Sequence, residues 1–255
     1  MGIPSRVGGA AGGIGSLLAA ADLLRRTPRL RRYVAVPLLV NLVVAVVLYG
    51  TLLSLGLRLV DRVVGEVTGS LAGLAALLQV LVVILALFVV GFWVVRFGVV
   101  LGSPWYGRLS EEVEALRAGS ERPAAPFSLA GAGRDLVRAV GYEARKLALV
   151  GMLGMLLLVA NLVPVLGQVT GTAGGALLAA VVACLDFFDG PLERSRLSFG
   201  AKLAVVRRTA PASLGFGLAC AGLLAIPFVN LLCLPLCVAA GTIFVVDRRP
   251  ESAAP

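Results

Sequence analysis

The chain has 255 residues, of which 59% are hydrophobic and 15% charged; soluble domains run at about a quarter charged, so the composition is that of an integral membrane protein. Histidine is absent, which removes the commonest metal ligand and the commonest general base near neutral pH and excludes most enzyme classes. Lysine and arginine outnumber aspartate and glutamate by 23 to 14, a net charge of +9 that in so apolar a chain points to anionic lipid or an anionic solute rather than nucleic acid.

Residues 1–26 read as an N-terminal interfacial segment. Its glycines (Gly8, Gly9, Gly12, Gly13, Gly15) lack the preceding strand and following Gly-Lys-Ser/Thr of a phosphate loop, and they read as a flexible terminus. They also dilute the apolar run that a cleaved secretory signal needs, and Arg6 stands where N-myristoylation wants a hydroxyl.

Next comes Leu23-Leu-Arg25-Arg26-Thr27-Pro28-Arg29-Leu30-Arg31-Arg32-Tyr33. Thr27 is a good N-cap and Pro28 a good first helical residue, so a helix starts here with Arg29, Arg31 and Arg32 in its first turn. Cations there oppose the helix macrodipole unless an anion is present. Free backbone N–H groups and guanidinium forks suit a tetrahedral oxyanion. Anchors that obey the positive-inside rule and bind lipid phosphates carry the same residues, so the pattern fits both.

Positions 33–57 and 67–95 carry no charge and reach roughly 37 and 43 Å as helices, beyond the ~30 Å hydrocarbon core. Transmembrane helices are therefore expected over 28–57 and 67–100. Arg58, Asp61, Arg62 and Glu66 between them sum to zero, while the cationic runs lie elsewhere, so both termini and the long loop are expected in the cytoplasm. A helical linker over 103–146 follows, with Ser110 as a cap, Glu111 and Glu112 in its first turn, and Leu109, Val113 and Leu116 on one face.

Positions 147–185 and 209–246 are also uncharged, but each is broken centrally, at Asn161-Leu-Val-Pro164-Val-Leu-Gly167 and at Ile226-Pro227-Phe-Val-Asn230. Each block predicts a hairpin, over 147–185 and 211–246. The arms of the second, Ser213 to Ile226 and Leu231 to Val246, reach only ~21 and ~24 Å, which favours a re-entrant turn over two full spans without excluding the latter. Non-helical tips with Asn161, Pro164, Pro227 and Asn230 could expose backbone polar groups to a water-filled path or simply turn the chain. Asp186, Asp189 and Glu193 are the carboxylates nearest to an apolar setting, the kind that ion coupling uses. Over 191–208, Ser198 can cap an amphipathic segment with Phe199, Leu203 and Val206 on one stripe and Lys202, Arg207 and Arg208 facing headgroups. The four cysteines (Cys184, Cys220, Cys233, Cys237) lie in apolar stretches and read as small core residues. The fold class that follows is an all-α integral membrane protein: one membrane domain over 1–255, with two long transmembrane helices, two helical hairpins and short amphipathic helices.

Several stretches taken in order resemble one family. They are Pro28-Arg-Leu-Arg-Arg-Tyr-Val-Ala-Val-Pro37-Leu-Leu-Val-Asn41, Ser103-Pro-Trp-Tyr-Gly-Arg-Leu-Ser-Glu-Glu-Val-Glu114, Asn161-Leu-Val-Pro-Val-Leu-Gly167, Phe187-Phe-Asp-Gly-Pro-Leu-Glu-Arg194, Leu197-Ser-Phe-Gly200 and Ile226-Pro-Phe-Val-Asn230. Together they are similar to the CysZ sulfate transporters and the related etoposide-induced membrane proteins. The resemblance implies two long transmembrane helices with two re-entrant (hemi-penetrating) helical hairpins, sulfate uptake across a bacterial inner membrane for cysteine synthesis, a homo-oligomer, and sulfate held at a Gly-Leu-Arg-Arg turn. That turn corresponds to Arg29, Leu30, Arg31 and Arg32, with Arg29 in the glycine's place. The expected partners are sulfate or a similar oxyanion, membrane lipids and further copies of the chain. No nucleic acid, cofactor, metal or catalysis is expected, and without a Walker motif ATP hydrolysis is not part of the reading. The alternative from another class is a non-transporting membrane scaffold or lipid-interacting protein.

Overall fold

A computed structural model describes residues 9–65, 72–119, 129–163, 166–226 and 229–248, and among them the chain forms eight helices. They are α1 (Ala10–Arg26), α2 (Pro28–Gly65), α3 (Ala72–Ala118), α4 (Leu129–Ala160), α5 (Leu166–Arg194), α6 (Phe199–Arg208), α7 (Ala212–Leu224) and α8 (Val229–Val246). Three helical stretches are long and apolar enough to cross a membrane: Pro28–Arg62, Gly167–Arg194 and Val229–Val246. The described apolar run of α3, Ala76–Phe92, is shorter.

α2 and α3 pack antiparallel along their lengths. Their outer faces carry exposed Leu39, Leu42, Val46, Leu77, Leu81, Leu85 and Phe88. Such a continuous apolar surface is stable only against lipid or another apolar partner. With 38 and 47 residues, the two helices are ~57 and ~70 Å long, far more than a bilayer core needs, and the excess of α3 carries it to Ala118.

The core lies elsewhere, where α1, α3, α5 and α7 surround α8. Phe188, Phe216 and Phe244 form its centre, with the Phe188 and Phe244 rings stacked at 4.7 Å. Small residues let these helices touch: a Cβ on Gly13 would strike the Ala212 carbonyl, and one on Gly217 the Ala180 carbonyl. The α7/α8 hairpin is thus mostly buried in protein, whereas α2 has one face on α3 and few fully buried residues.

Several expectations meet this geometry directly. Thr27 is non-helical and extended, Pro28 opens α2, Ser198 accepts the Ala201 N–H at 3.3 Å to cap α6, and all four cysteines are free, three of them buried. Helix breaks fall at 161–163 and after Leu224 as the sequence predicts, although Pro164 and Pro227 themselves lie outside the described residues.

Four expectations need correction. The glycine-rich start is no loose end from Gly12 onward, because α1 packs on α7 and α8 and uses Gly13 as a contact. Ser110 does not cap a separate linker helix. α3 runs unbroken through Pro104 and Ser110, whose hydroxyl is shared between Thr242 and Arg194. The first hairpin's second arm does not stop at position 185, since α5 continues to Arg194 with Phe187, Phe188 and Leu192 buried in the core. Lys202 does not face headgroups: it is 1% exposed, drawn inward by two carboxylates.

Candidate functional site

The elbow between α1 and α2 brings the predicted arginines to the surface and separates them. Leu30 is fully buried in the core and pins the elbow, and its N–H donates to the Thr27 carbonyl at 3.1 Å. Arg31 turns back: its Nη2 donates to the Arg25 carbonyl at 2.6 Å, satisfying the C-terminal end of α1. Arg32, one residue on and so about 100° round the helix, turns toward α3. Its Nη2 donates to the Tyr33 hydroxyl at 2.8 Å and stands 3.7 Å from Glu112 Oε1, with its guanidinium 4.7 Å from the Tyr33 ring centroid. Arg29 is exposed.

Between the first turns of α2 and the C-terminal extension of α3 lies a cleft of ≈ 410 Å³ lined by Arg32, Tyr33, Val36, Pro104, Trp105 and Arg108. The α2 residues lie one turn apart on one face, and Pro104, Trp105 and Arg108 do the same on α3. Two arginines, a tryptophan and a tyrosine thus line one cleft near the positive end of the α2 dipole, a setting that favours an anion of one or two charges. Trp105 and Arg108 were not singled out from the sequence. They lie more than seventy positions from Arg32, and their approach depends on the antiparallel register of two long helices. The Ser103–Glu114 stretch, matched to the family as a block, was the signal that held them.

The α3 extension is held from behind. Arg194 Nε meets Glu114 Oε2 at 2.6 Å and its Nη2 meets Ser110 Oγ at 2.8 Å; Ser110 pairs with Thr242 at 2.8 Å, and Arg117 with Asp247 at 3.0 Å. Leu109 and Val113 are buried on the same side. Thus one face of the extension is locked to α5 and α8 while the other lines the cleft.

The carboxylates considered for ion coupling are engaged in ion pairs. Asp186 binds Lys146 at 2.7 Å, Asp189 binds Lys202 at 2.6 Å, and Glu193 binds Lys202 at 2.5 Å with Arg138 at 3.8 Å. Lys202 Nζ also sits 4.2 Å from the Tyr142 ring, and the Tyr142 hydroxyl donates to the Leu185 carbonyl at 2.9 Å. Burial and then the surrounding carboxylates push the Tyr142 phenol well above its usual range, so it stays a neutral donor. Burial pulls Lys146 down, but its hydrogen bonds to Asp186 and Glu143 outweigh this and hold it above its ordinary value. This web ties α4 and α6 to α5.

Of the hairpin tips, Asn161 is exposed at the end of α4, with Gly167 packed directly on its backbone. Asn230 is half-buried, and its Oδ1 has no partner among the described residues. The two belong to different hairpins, and neither lines the cleft. No group of three potential metal ligands occurs among the described residues.

Against known proteins, residues 16–235 match the family model described as "Sulfate transporter CysZ/Etoposide-induced protein 2.4". Curated relatives include a protein named sulfate transporter CysZ from Pseudomonas paraeruginosa, 32% identical over 89% of this chain and 91% of that one. Another of the same name from Pseudomonas aeruginosa is 31% identical over the same shares, and one from Pseudomonas syringae is 33% identical over 66% of each chain.

Proposed function

We propose that this protein is a permease for sulfate or a similar oxyanion, from a plain premise: the chain belongs to the sulfate transporter CysZ/etoposide-induced protein 2.4 family. The observation that carries the reading is the cleft that Arg32 and Arg108 both line beside the N-terminus of α2. There Arg32 is the direct ligand of the predicted set. Arg29 adds positive potential from the elbow, Leu30 anchors that elbow, and Arg31 braces it through the Arg25 carbonyl. The relatives named as sulfate transporters supply the choice of sulfate among oxyanions.

The setting we infer is a bacterial inner membrane, crossed several times, with sulfate delivered for cysteine synthesis and with homo-oligomers as the working form. In this reading α2 and α3 span the bilayer, while α4/α5 and α7/α8 enter and turn back at Asn161 and near Asn230. Support comes from α7, whose 13 residues reach only ~20 Å, and from the burial of α8 inside the protein. The residues that line the cleft offer binding and orientation, with no nucleophile and base in range of one another.

Uptake of radiolabelled sulfate into proteoliposomes tests the reading. Flux above that of empty vesicles, lost in the Arg32→Gln variant, is the expected result. Correctly inserted protein without flux would instead make it a membrane scaffold or lipid-interacting protein.

A further inference from the structure

A carboxylate stands beside the arginine and the tyrosine that α2 contributes to the cleft. Glu112 lies on the same face of α3 as Arg108, one turn farther on. Its Oε1 stands 3.7 Å from Arg32 Nη2, and the Tyr33 hydroxyl joins them, accepting from Arg32 at 2.8 Å and donating to Glu112 at 3.4 Å. Both side chains are about half exposed, so the pair is loose and can open without breaking the core. Arg108, by contrast, pairs with no carboxylate among the described residues, although Glu112 is four residues away on its own helix. The carboxylate has therefore gone across the helix pair to the arginine of α2.

We propose that Glu112 is a built-in counter-anion of the permease: it holds Arg32 while the cleft is empty and yields it to an entering dianion. The proposal rests on the reading of this cleft as the oxyanion site. Glu112 reaches Arg32 with one negative charge, whereas a sulfate in the cleft carries two and faces Arg32 and Arg108 together. Sulfate wins the exchange, and the returning carboxylate replaces it on departure. Conduction needs binding that is favourable enough to enter yet weak enough to leave. A tethered competitor supplies the second condition without removing either arginine, and it discriminates against monoanions, which must meet Glu112 on equal charge.

The test is sulfate titration of the purified full-length protein in detergent, by calorimetry with the tryptophan emission of a Trp93→Phe background, which reports Trp105, as a second signal. Glu112→Gln is expected to tighten sulfate roughly two- to fivefold, the range of an exposed ion pair, and to narrow its preference over chloride. Glu112→Asp keeps the charge but shortens the reach to Arg32, so it is expected to tighten sulfate in the same direction. In an Arg32→Gln background the Glu112→Gln gain is expected to vanish. Wild-type binding with an unchanged or weaker Glu112→Gln variant would overturn the counter-anion while leaving the permease reading intact. A gain that persists without Arg32, or wild-type affinity in Glu112→Asp, would reduce Glu112 to a general field effect and overturn it too. Folded wild type and Glu112→Gln that both fail to bind sulfate would remove the oxyanion site itself and this proposal with it.

Discussion

At the level of single residues, the two adjacent arginines that look equivalent in sequence do different work. Arg31 satisfies the Arg25 carbonyl, while Arg32 points into the cleft. Replacing both with Gln is expected to lower sulfate affinity more than tenfold, since each charge-assisted bond is worth about 1.5 to 3 kcal/mol before compensation. The single variants divide that loss unequally: Arg32→Gln should carry most of it, Arg31→Gln little, and Arg32→Lys should retain part because charge survives without the bidentate fork. Binding measured in detergent checks this, since orientation no longer matters there. Were the arginines only topology anchors, all four variants would bind sulfate as wild type does. The sequence made the cluster visible and could not divide it, because two consecutive positions on a helix face different neighbours and the neighbours are set by packing. Lys202 teaches the same lesson in reverse. A lysine on the polar side of an amphipathic stripe reads as a headgroup contact, yet Asp189 and Glu193 one helix away take it into the interior. Lys202→Met should cost about 2 kcal/mol of stability by leaving two carboxylates to repel each other, a value reduced from that of a fully buried pair because both carboxylates are partly exposed. Thermal melting in detergent reads it.

At the level of helices, local signals held where their reason was local. Thr27-Pro28 opens α2 because proline needs no N–H at a helix start, and Ser198 caps α6 with its own hydroxyl. They failed where a distant partner claimed the side chain. Ser110 has the composition of a cap, but Thr242 and Arg194 take its hydroxyl, and α3 continues past it as one rod. The rod positions the proposed site, because it carries Trp105 and Arg108 on one face while the opposite face is clamped to α5 and α8. Glycines divide in the same manner. Gly217 has the Ala180 carbonyl pressed against the place of its missing Cβ, whereas Gly222 on the same helix has open space. Gly217→Ala is therefore expected to force α7 away from α5 and destabilise by about 1 to 3 kcal/mol. Gly222→Ala should be neutral or mildly stabilising through helix propensity. Paired melting curves distinguish them; equal effects would mean that α5 and α7 leave room for a methyl group between them.

At the scale of the whole molecule, the architecture has an exposed arm and a buried hub. α2 between Leu39 and Leu59 and α3 between Leu77 and Phe92 present apolar surface, and α8 lies inside a ring of four helices. α8 is apolar enough to cross a membrane and yet lies largely inside the protein, because a core helix and a lipid-facing helix share the same composition; only its neighbours separate the two cases. If α4/α5 and α7/α8 are re-entrant, their tips rest within the bilayer and not at its periplasmic face. The 13 residues of α7 give ~20 Å of helix against a ~30 Å core, so a tip near Ile226 falls short of the far side if α7 begins at the cytoplasmic surface. Single cysteines at Val163 and Ile226, both exposed on the protein surface, report this directly in a background lacking the four native cysteines. In intact cells both are expected to resist a membrane-impermeant thiol reagent added from the periplasm, while Asp61→Cys, near the end of α2, reacts. Ready labelling at 163 and 226 would make the hairpins full spans. The cleft proposed to take the oxyanion, at the opposite end of α2, would then open toward the same side as before, because paired spans and re-entrant hairpins both return the chain to the face from which it entered.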